Sequence, residues 1–363
     1  MKYEEFQYDD SDRLIDAVAN ARATQTALSI RGGNTKAFLG RPRSKGAVEI
    51  DTRRHRGIVR YEPTELVVTV RAGTPVGELT KVLEAAGQIL PCEPPEFGGG
   101  ATVGGMVASG LSGPRRPWSG AVRDFVLGCR VITGEGKHLR FGGEVMKNVA
   151  GFDVSRLMAG SFGCLALITE VSLKVLPRPR ACQSRILELS ADAAMAELRS
   201  WRRSALPVTG ACFFEGRLVV RLEGGAGSVS AAADRIGGEA VEQDFWKQLR
   251  EHELPFFDDP LPLWRLSLPV GAPLSALPGK ALLDWGGAQR WLKSVEDSGT
   301  IRRLAREGGG HAVSYSPEAE ADFDPDGSSF APLQSRLSHL HRALKARIDP
   351  NRVFNPGRLY AEF

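Results

Sequence analysis

The most informative stretch of this sequence is Gly98-Gly99-Gly100-Ala101-Thr102-Val103-Gly104-Gly105. Thr102 can cap a helix that starts just after it. The first turn of a helix presents free N–H groups and a partial positive charge, both of which favour an anion. The glycine spacing is not the GxGxxG pattern of a dinucleotide-binding turn, so a Rossmann site is not indicated. The stretch therefore predicts a loop that holds a phosphate in another kind of fold.

A second glycine-rich segment, Arg31-Gly32-Gly33-Asn34-Thr35-Lys36, follows a short apolar strand at 27–30. Its two glycines permit positive φ and close backbone approach, so that successive N–H groups can form an anion-binding nest. The side chains that follow add hydrogen-bond donors and a positive charge. Taken alone, this segment could equally be a tight turn. The two loops are about seventy residues apart, and together they indicate one extended ligand held at both ends of a pyrophosphate, the alternative being two unrelated turns.

Length and composition are those of a soluble enzyme. A chain of 363 residues favours two domains, and its 42% hydrophobic and 25% charged residues are ordinary values. The net charge of +4 is compatible with an anionic ligand and is a weak signal for nucleic acid, so no nucleic-acid partner is expected.

The sequence indicates a cytoplasmic chain without a metal centre. No apolar run approaches the roughly 20 residues that span a bilayer, and the acidic start MKYEEFQYDD has no apolar core of a signal peptide. The five cysteines are widely spaced and form no CxxC pair, which argues against an iron–sulfur cluster or a zinc site. Reduced thiols in the cytoplasm are the default interpretation.

Periodicity predicts an α+β chain in two parts. The elements predicted in the first part are a helix at 11–24, strands at 27–30, 47–50 and 66–70, a helix from Thr74 to Gly87, a helical turn at 106–109, and strands at 122–133 and 165–176. A hairpin turn is predicted at 134–136, between Thr133 and Lys137. Pro177-Arg178-Pro179-Arg180 predicts the domain boundary.

The second part is predicted to be an α+β cap with an antiparallel sheet. The elements predicted in it are strands at 185–189, 210–214 and 218–222, helices at 193–204 and 229–237, an irregular proline-rich stretch at 255–280 and an acidic, turn-rich loop at 317–328. An amphipathic helix at 333–348 closes the chain. The predicted division is 1–178, 179–330 and 331–363, with the last part returning to the first domain.

Five motifs in order resemble the vanillyl-alcohol-oxidase, or PCMH-type, family of FAD-binding proteins. They are RGGNTK at 31–36, TPxxELxxxLxxxGQxLP at 74–91, GGGATVGGMVASGLSG at 98–113, the segment 147–177, and FNPGRL at 354–359. Within that family the chain is most similar to the FAD-binding subunits of bacterial glycolate oxidases. The resemblance implies a PCMH-type domain of two α/β subdomains followed by the cap, and it covers little of 181–330.

The resemblance also implies the cofactor and the residues that hold it. Carried onto this sequence, the implied FAD-binding residues are Arg31, Gly32, Gly33, Asn34, Thr35, Lys36, Thr102, Val103, Gly104, Gly105, Ser109, Gly110, Gly163 and Ile168, with Gly120 and Asp124 where a second loop borders the flavin. Family members that link FAD covalently have a histidine where Thr35 stands. The FAD is therefore expected to bind noncovalently.

The departures from the family concern catalysis. Relatives that oxidise 2-hydroxy acids read GSEGTLG where this chain has GSFGCLA at 160–166, and they carry a metal motif HxGDGNxH in the cap that this sequence lacks. His339 and His341 are two apart on a predicted helix and make a poor metal pair. His55 follows two arginines and is expected at the surface. No catalytic base is evident, and the catalytic residues remain unknown.

A cation for a substrate carboxylate is available in principle. The arginines in motif regions are Arg115, Arg116, Arg123, Arg156 and Arg358, although solvated or ion-paired roles are the more ordinary expectation.

Two functions stay open at this point. In the first, the chain is an FAD-bearing subunit of a glycolate (2-hydroxy acid) oxidase, with a sister FAD-containing catalytic subunit and an iron–sulfur subunit as partners; a purely structural flavoprotein is a variant of this. In the second, it is a self-sufficient flavin oxidoreductase acting on another small hydroxy acid or alcohol. The NADPH-dependent reductases of cell-wall precursors share the fold and rank third, because their catalytic serine and glutamate motifs are not found.

Membrane association is expected to be at most peripheral, through the complex. The apolar segment 255–268 is either a partner surface or a small cap core.

Overall fold

The computed structural model describes residues 7–143, 153–242, 244–274, 277–315 and 328–363. The helices are α1 (Ser11–Ala23), α2 (Val76–Ala85), α3 (Val103–Ser109), α4 (Arg116–Ser119), α5 (Val122–Phe125), α6 (Val154–Met158), α7 (Ala191–Arg203), α8 (Ala226–Ile236), α9 (Asp244–Glu251), α10 (Pro255–Asp258), α11 (Ser298–Glu307) and α12 (Ser335–Ile348). The strands are β1 (Leu28–Arg31), β2 (Val48–Asp51), β3 (Ile58–Glu62), β4 (Val67–Arg71), β5 (Gln88–Ile89), β6 (Val126–Ile132), β7 (His138–Gly142), β8 (Leu167–Lys174), β9 (Leu176–Pro177), β10 (Ala181–Glu188), β11 (Val208–Phe214), β12 (Arg217–Gly224), β13 (Glu239–Val241), β14 (Leu263–Ser267), β15 (Lys280–Asp284), β16 (Gln289–Lys293) and β17 (His311–Ser314). The predicted acidic loop at 317–328, except for Ser328, and the start of the motif at 147–177 lie outside the described residues.

The chain divides into two compact units. The first comprises 1–112, 120–178 and 332–363, and the second comprises 113–119 and 179–331. The short segment 113–119, counted with the first domain in the predicted division, lies in the second unit. The assignment of these units as FAD domain and cap stays a prediction.

The first unit contains a small parallel sheet and a larger antiparallel one. β1 pairs with β2 in parallel, and the larger sheet has the order β3-β4-β8-β6-β7. A cluster of buried side chains that includes Leu14 of α1, Leu28 of β1 and Phe354 of the chain's end fills the space beside β1. Apolar residues repeat at helical spacing in α1, and its inner face is fully buried because they all point at this cluster.

The closing segment 332–363 belongs to the first unit. Leu28 N donates to Val353 O at 2.6 Å and Asn355 N donates to Leu28 O at 2.9 Å, so the FNPGRL segment runs beside β1 as a short parallel bridge. Lys345 of α12 is 2% exposed, and its Nζ donates to Asp349 Oδ2 at 2.7 Å and to Phe354 O at 2.8 Å. A buried lysine thus fixes the end of the last helix against the tail.

Lys345→Met is expected to destabilise the protein by about 3–5 kcal/mol. The change leaves the Asp349 carboxylate, which is fully buried, without its cation. Urea unfolding measures the loss, and Arg347→Met, an exposed position on the same helix, serves as the matched control. Equal midpoints for the two variants would contradict this role for the buried pair.

The second unit is built on one eight-stranded antiparallel sheet with the order β13-β10-β12-β11-β15-β16-β14-β17. This confirms the predicted antiparallel cap. β11 and β15 are paired only at Phe213 and Leu283, so this one pair joins the two four-stranded halves of the sheet. Helices α7 and α8 pack against β10, β11 and β12 through one apolar core.

Two sequence predictions of secondary structure are wrong. Residues 122–125 form helix α5 rather than strand, because the Asp124 carboxylate accepts a hydrogen bond from Ala121 N at 2.8 Å and stabilises a first helical turn. The stretch 255–280 is not irregular, since α10 begins at Pro255 and β14 lies within the sheet. Proline is compatible with regular structure at a first helical position and just before a strand. The number of prolines in a stretch therefore does not show that the stretch is irregular.

The apolar segment 255–268 forms core rather than an open surface patch. Leu263, Trp264 and Leu266 are 7%, 2% and 0% exposed, and the Phe257 ring lies 5.8 Å from that of Trp291. Of the two alternatives for this segment, the structure supports the small cap core. In the part of the chain that the structure describes, no helix is both long enough and apolar enough to cross a bilayer.

Candidate functional site

The first glycine-rich loop starts where β1 ends. Arg31 and Arg43 both bind the Glu49 carboxylate, with N–O distances of 2.9 and 2.6 Å, and Arg43 also donates to Asn34 Oδ1 at 2.7 Å. The hydrogen bond from Arg31, and next that from Arg43, lower the pKa of Glu49 below its ordinary value. Two guanidinium groups sharing one carboxylate leave an excess of positive charge beside the loop, as an anionic ligand requires.

The second loop provides open backbone and a capped helix. Gly98, Gly99 and Gly100 have φ values of +83°, +85° and +77°, and no atom lies within 4 Å of the position a Cβ would take at any of them. Thr102 caps α3, with its Oγ1 accepting from Gly105 N at 3.2 Å. The three consecutive left-handed glycines have open space where a side chain would stand, while Gly100 O faces the first loop.

The two loops touch each other. A Cβ at Gly32 would lie 2.3 Å from Thr102 Oγ1, and a Cβ at Gly33 would lie 1.8 Å from Gly100 O. Glycine is therefore required at 32 and 33 by the approach of the second loop, a reason that differs from the backbone freedom inferred from the sequence. The contact makes the two loops one site, which argues against two unrelated turns.

A third segment supports the floor of the site. Phe162 N donates to Ala108 O at 2.8 Å, and Gly160 N donates to Val107 O at 3.0 Å, which joins the GSFGCLA segment to the end of α3. Gly163 has φ +67°, and a Cβ there would lie 2.8 Å from Asn355 Nδ2. Gly163 therefore allows close packing between two segments of the first unit.

The loops enclose a cavity in the first unit. The predicted residues that line it are Arg31, Gly32, Gly33, Asn34, Thr35, Lys36, Thr102, Gly105 and Ser109. Lys36 lies at its mouth, with Nζ 2.9 Å from Thr35 Oγ1 and 5.3 Å from the centre of the Phe97 ring. The first loop and the start of α3 are thus brought together in one place.

The other predicted residues do not line this cavity. They are Val103, Gly104, Gly110, Gly120, Asp124, Gly163 and Ile168. Val103 and Ile168 are 0% and 6% exposed and belong to the core. A Cβ at Gly104 would lie 2.7 Å from Ala72 Cβ, so this glycine allows α3 to pack against the chain after β4. Asp124 caps α5.

Sequence reasoning missed several residues that line the cavity, above all Asn355. Its Oδ1 accepts from Ile30 N at 2.8 Å, directly before the first loop, and its Nδ2 donates to Phe162 O at 2.7 Å. Arg358 Nη2 donates to Ala37 O at 2.7 Å, directly after the first loop. The FNPGRL motif contains both residues. Its sequence does not predict that Asn355 and Arg358 bind the two ends of a loop more than 300 positions earlier in the chain.

The arginines considered as substrate cations are all engaged. Arg115 pairs with Glu223 at 2.7 Å, Arg116 stacks on Trp285 at 4.3 Å, and Arg156 pairs with Asp153 at 2.9 Å. Arg123 lies 3.8 Å from Asp124 on the surface, and Arg358 donates to backbone carbonyls. In the described part of the chain, no group of three or more histidine, cysteine, aspartate or glutamate side chains is placed to hold a metal ion.

The prediction that His55 lies at the surface is wrong. Its side chain is fully buried, and its Nδ1 accepts a hydrogen bond from Asp10 N at 3.0 Å. Burial lowers the pKa of His55 from its ordinary value, against an opposing effect of Asp9. The ring packs against the residues just before α1. The two preceding arginines, Arg53 and Arg54, are exposed, so the chain turns His55 inward and the arginines outward.

His55 should make stability depend on pH below about 6.5. Its pKa is lower in the folded protein than in the unfolded chain, so the unfolded chain binds more protons as the pH falls. The contribution of His55 is therefore present above about pH 6.5 and is lost towards acid, with a slope of at most about 1.4 kcal/mol per pH unit. Between pH 7 and pH 5, the midpoint temperature of thermal unfolding should fall less steeply for His55→Gln than for the wild-type chain. Equal falls in the two proteins would contradict this role of His55.

Comparison with known proteins agrees with this architecture. Residues 6–142 match the family model described as "FAD binding domain". The chain is 57% identical over 354 residues to the glycolate oxidase subunit GlcE of Escherichia coli (strain K12), covering 98% of both chains. It is 34% identical to a D-lactate dehydrogenase of Anaerostipes hadrus and 30% identical to the glycolate oxidase subunit GlcD of Bacillus subtilis (strain 168), but spans only 30% and 32% of their lengths.

A solved structure extends the likeness of fold over the whole chain. An alkyldihydroxyacetonephosphate synthase superposes with a TM-score of 0.68 over 97% of this chain and 76% of its own, at 17% identity. Fold and site define an FAD-binding protein of the PCMH type, which confirms the predicted fold class and cofactor. The chain belongs, more particularly, to the family of the glycolate oxidase subunit GlcE.

Proposed function

We propose that this chain is the FAD-binding subunit of a glycolate oxidase that converts glycolate to glyoxylate. The observation that carries the proposal is the full-length identity with a glycolate oxidase subunit, since 98% of each chain is covered and no domain is missing from the match. The partners proposed are a sister FAD-containing subunit, for which a GlcD relative gives a precedent, and an iron–sulfur subunit that receives the electrons.

The cavity of the first unit fits FAD. Gly32 and Gly33 line it with bare backbone, where an added Cβ would clash with the second loop, and the capped start of α3 adds the Gly105 N–H. Arg31 and Arg43 supply positive charge against the two negative charges of a pyrophosphate. The residues proposed to hold FAD in the cavity are Arg31, Gly32, Gly33, Asn34, Thr35, Lys36, Thr102, Gly105 and Ser109. Thr35 offers no nucleophilic imidazole, so the bond to FAD is proposed to be noncovalent.

When bound, FAD supplies the two-electron acceptor for oxidation of a hydroxyl carbon. This chain's residues orient the cofactor and neutralise its phosphates. Among the described residues that line the cavity there is no histidine, aspartate or glutamate, so a base for the substrate hydroxyl is not provided there. In this proposal the sister subunit deprotonates the substrate hydroxyl. This chain holds an FAD that takes part in electron transfer.

Anaerobic mixing with glycolate separates the subunit from a self-sufficient enzyme. The isolated chain should show a flavin spectrum that stays oxidised after glycolate or D-lactate is added, whereas the assembled complex should bleach. Rapid bleaching of the isolated chain would overturn the subunit proposal. An absence of bleaching in a complex that contains all its flavins would overturn glycolate as the substrate.

Co-purification tests the proposed partners. A tagged copy of this chain, recovered from its own host, should carry a second flavoprotein and an iron–sulfur protein in fixed ratio. Recovery of the chain with its flavin but without either protein would contradict the proposed assembly.

A further inference from the structure

A second cavity, of about 310 Å³, lies in the second unit and is lined by residues of α7, of the loop at 270–274 and of the turn at 285–287. The side chains of Trp118, Trp201 and Trp285 all line it. Ligand pockets in proteins begin at about this size and are lined mainly by apolar and aromatic groups. None of the residues proposed to hold FAD contributes to this cavity.

One wall of the cavity is held by a buried arginine. Arg290 is 2% exposed, and its two terminal nitrogens donate to Ala272 O at 2.7 Å and Pro273 O at 2.8 Å. These bonds hold the loop at 270–274 against β16. Because its guanidinium is buried and bonded to three carbonyl groups, Arg290 supports the wall of the cavity.

A strained turn next to Arg290 also lines the cavity. Trp285 has φ +55°, and Gly286 and Gly287 follow at +65° and +90°. The indole is held by a hydrogen bond from Nε1 to Gly113 O at 3.0 Å and by Arg116, which stacks on it at 4.3 Å. A bulky residue in the left-handed region persists only where its surroundings fix it, and such residues concentrate at binding sites.

The mouth of the cavity carries positive charge. Arg199 and Arg202 of α7 both line it and are exposed, and neither forms an ion pair or hydrogen bond within the described part of the chain. Asp192 is the acidic residue among the described lining, so the arginines outnumber it. Two guanidinium groups three positions apart on a helix lie on the same face and can bind one carboxylate.

We propose that this cavity is a binding site for an amphipathic organic anion, whose apolar body lies among the three indoles and whose carboxylate meets Arg199 and Arg202. The site is separate from the FAD cavity of the first unit and stands whether or not the proposed function is right.

Tryptophan fluorescence of the FAD-loaded chain tests the proposal directly, with 1-naphthoate as the probe and 1-naphthalenemethanol as its uncharged analogue. The carboxylate should quench saturably and bind about tenfold more tightly than the alcohol, because it adds two partly exposed ion pairs. Equal affinities, or quenching that does not saturate, would overturn the proposal without involving any variant.

A pair of variants locates the binding. Arg199→Gln combined with Arg202→Gln should weaken naphthoate binding about tenfold and leave the alcohol unaffected, since only the charge is removed. Arg203→Gln is the matched control, because Arg203 is equally exposed on α7 but does not line the cavity. An equal loss in the control, or none in the double variant, would show that the probe binds elsewhere and would overturn the assignment.

Discussion

Gly33→Ala should weaken FAD binding about a hundredfold while the chain remains folded. A methyl group at this position would lie 1.8 Å from Gly100 O, so the two loops must move apart. A backbone oxygen cannot rotate away as a side chain can, and overpacking of this kind costs about 1–3 kcal/mol or more. If the phosphates bind at the contact of the loops, that cost corresponds to a loss of affinity of about a hundredfold.

Flavin fluorescence on titration of the apoprotein with FAD measures this effect. Gly227→Ala is the matched control, because it makes the same change at a site with no atom within 4 Å. Circular dichroism and the unfolding midpoint then distinguish a local separation of the loops from a loss of fold. An FAD affinity equal to that of the wild-type chain would show that the loop contact plays no part in binding.

Asn355→Gly is expected to weaken FAD binding at least about tenfold, although the residue stands near the end of the chain. Its carboxamide connects Ile30 N to Phe162 O, and removing it leaves both groups without this partner at a cost of about 1–3 kcal/mol each. Asn355 has φ +39°, and glycine tolerates this conformation. Any loss in this variant therefore reports the carboxamide rather than backbone strain.

Asn355→Asp gives a second test of this positioning residue. The carboxylate can still accept from Ile30 N, but it is repelled by Phe162 O and adds a negative charge to the lining of the cavity, so a loss larger than that of Asn355→Gly is expected. Retention of full affinity in Asn355→Gly would mean that the tail closes the domain without ordering the first loop. A KD change accompanied by an equal fall in stability would indicate a general loosening of the first unit instead.

The glycine-rich loops could be located from the sequence because clustered glycines indicate backbone that a ligand or another segment approaches closely. The α1 and α2 helices were equally accessible, since their apolar spacing and flanking residues agree with each other. In the cap, the five elements from β10 to α8 were predicted near their observed positions, whereas none of those from β13 to β17 was. Local pattern sufficed wherever the local preference and the tertiary environment favour the same structure.

The remaining features depend on contacts between distant parts of the chain. That Gly33 meets Gly100, or that Asn355 joins Ile30 to Phe162, requires the fold itself. The burial of His55 follows from packing with the start of the chain, against the polar residues beside it in sequence. Gly104 was placed at the pyrophosphate by resemblance, whereas in the structure it is a packing glycine against Ala72.

The cap cavity had no signal in the sequence. Trp118, Trp201 and Trp285 lie far apart along the chain, and no motif connects them. Trp118 belongs to the short segment 113–119, which lies in the second unit. The predicted division of domains places this segment in the first domain. Pattern reasoning recognises a site that one segment builds and misses a site assembled from several.

The central claim is that the two touching glycine loops of the first unit hold one FAD without a covalent bond. The most direct measurement is the flavin content of the purified chain before and after acid precipitation. One FAD per chain, recovered entirely in the supernatant, is the predicted result. A chain that purifies and refolds without taking up FAD, or flavin that stays with the precipitated protein, would contradict it.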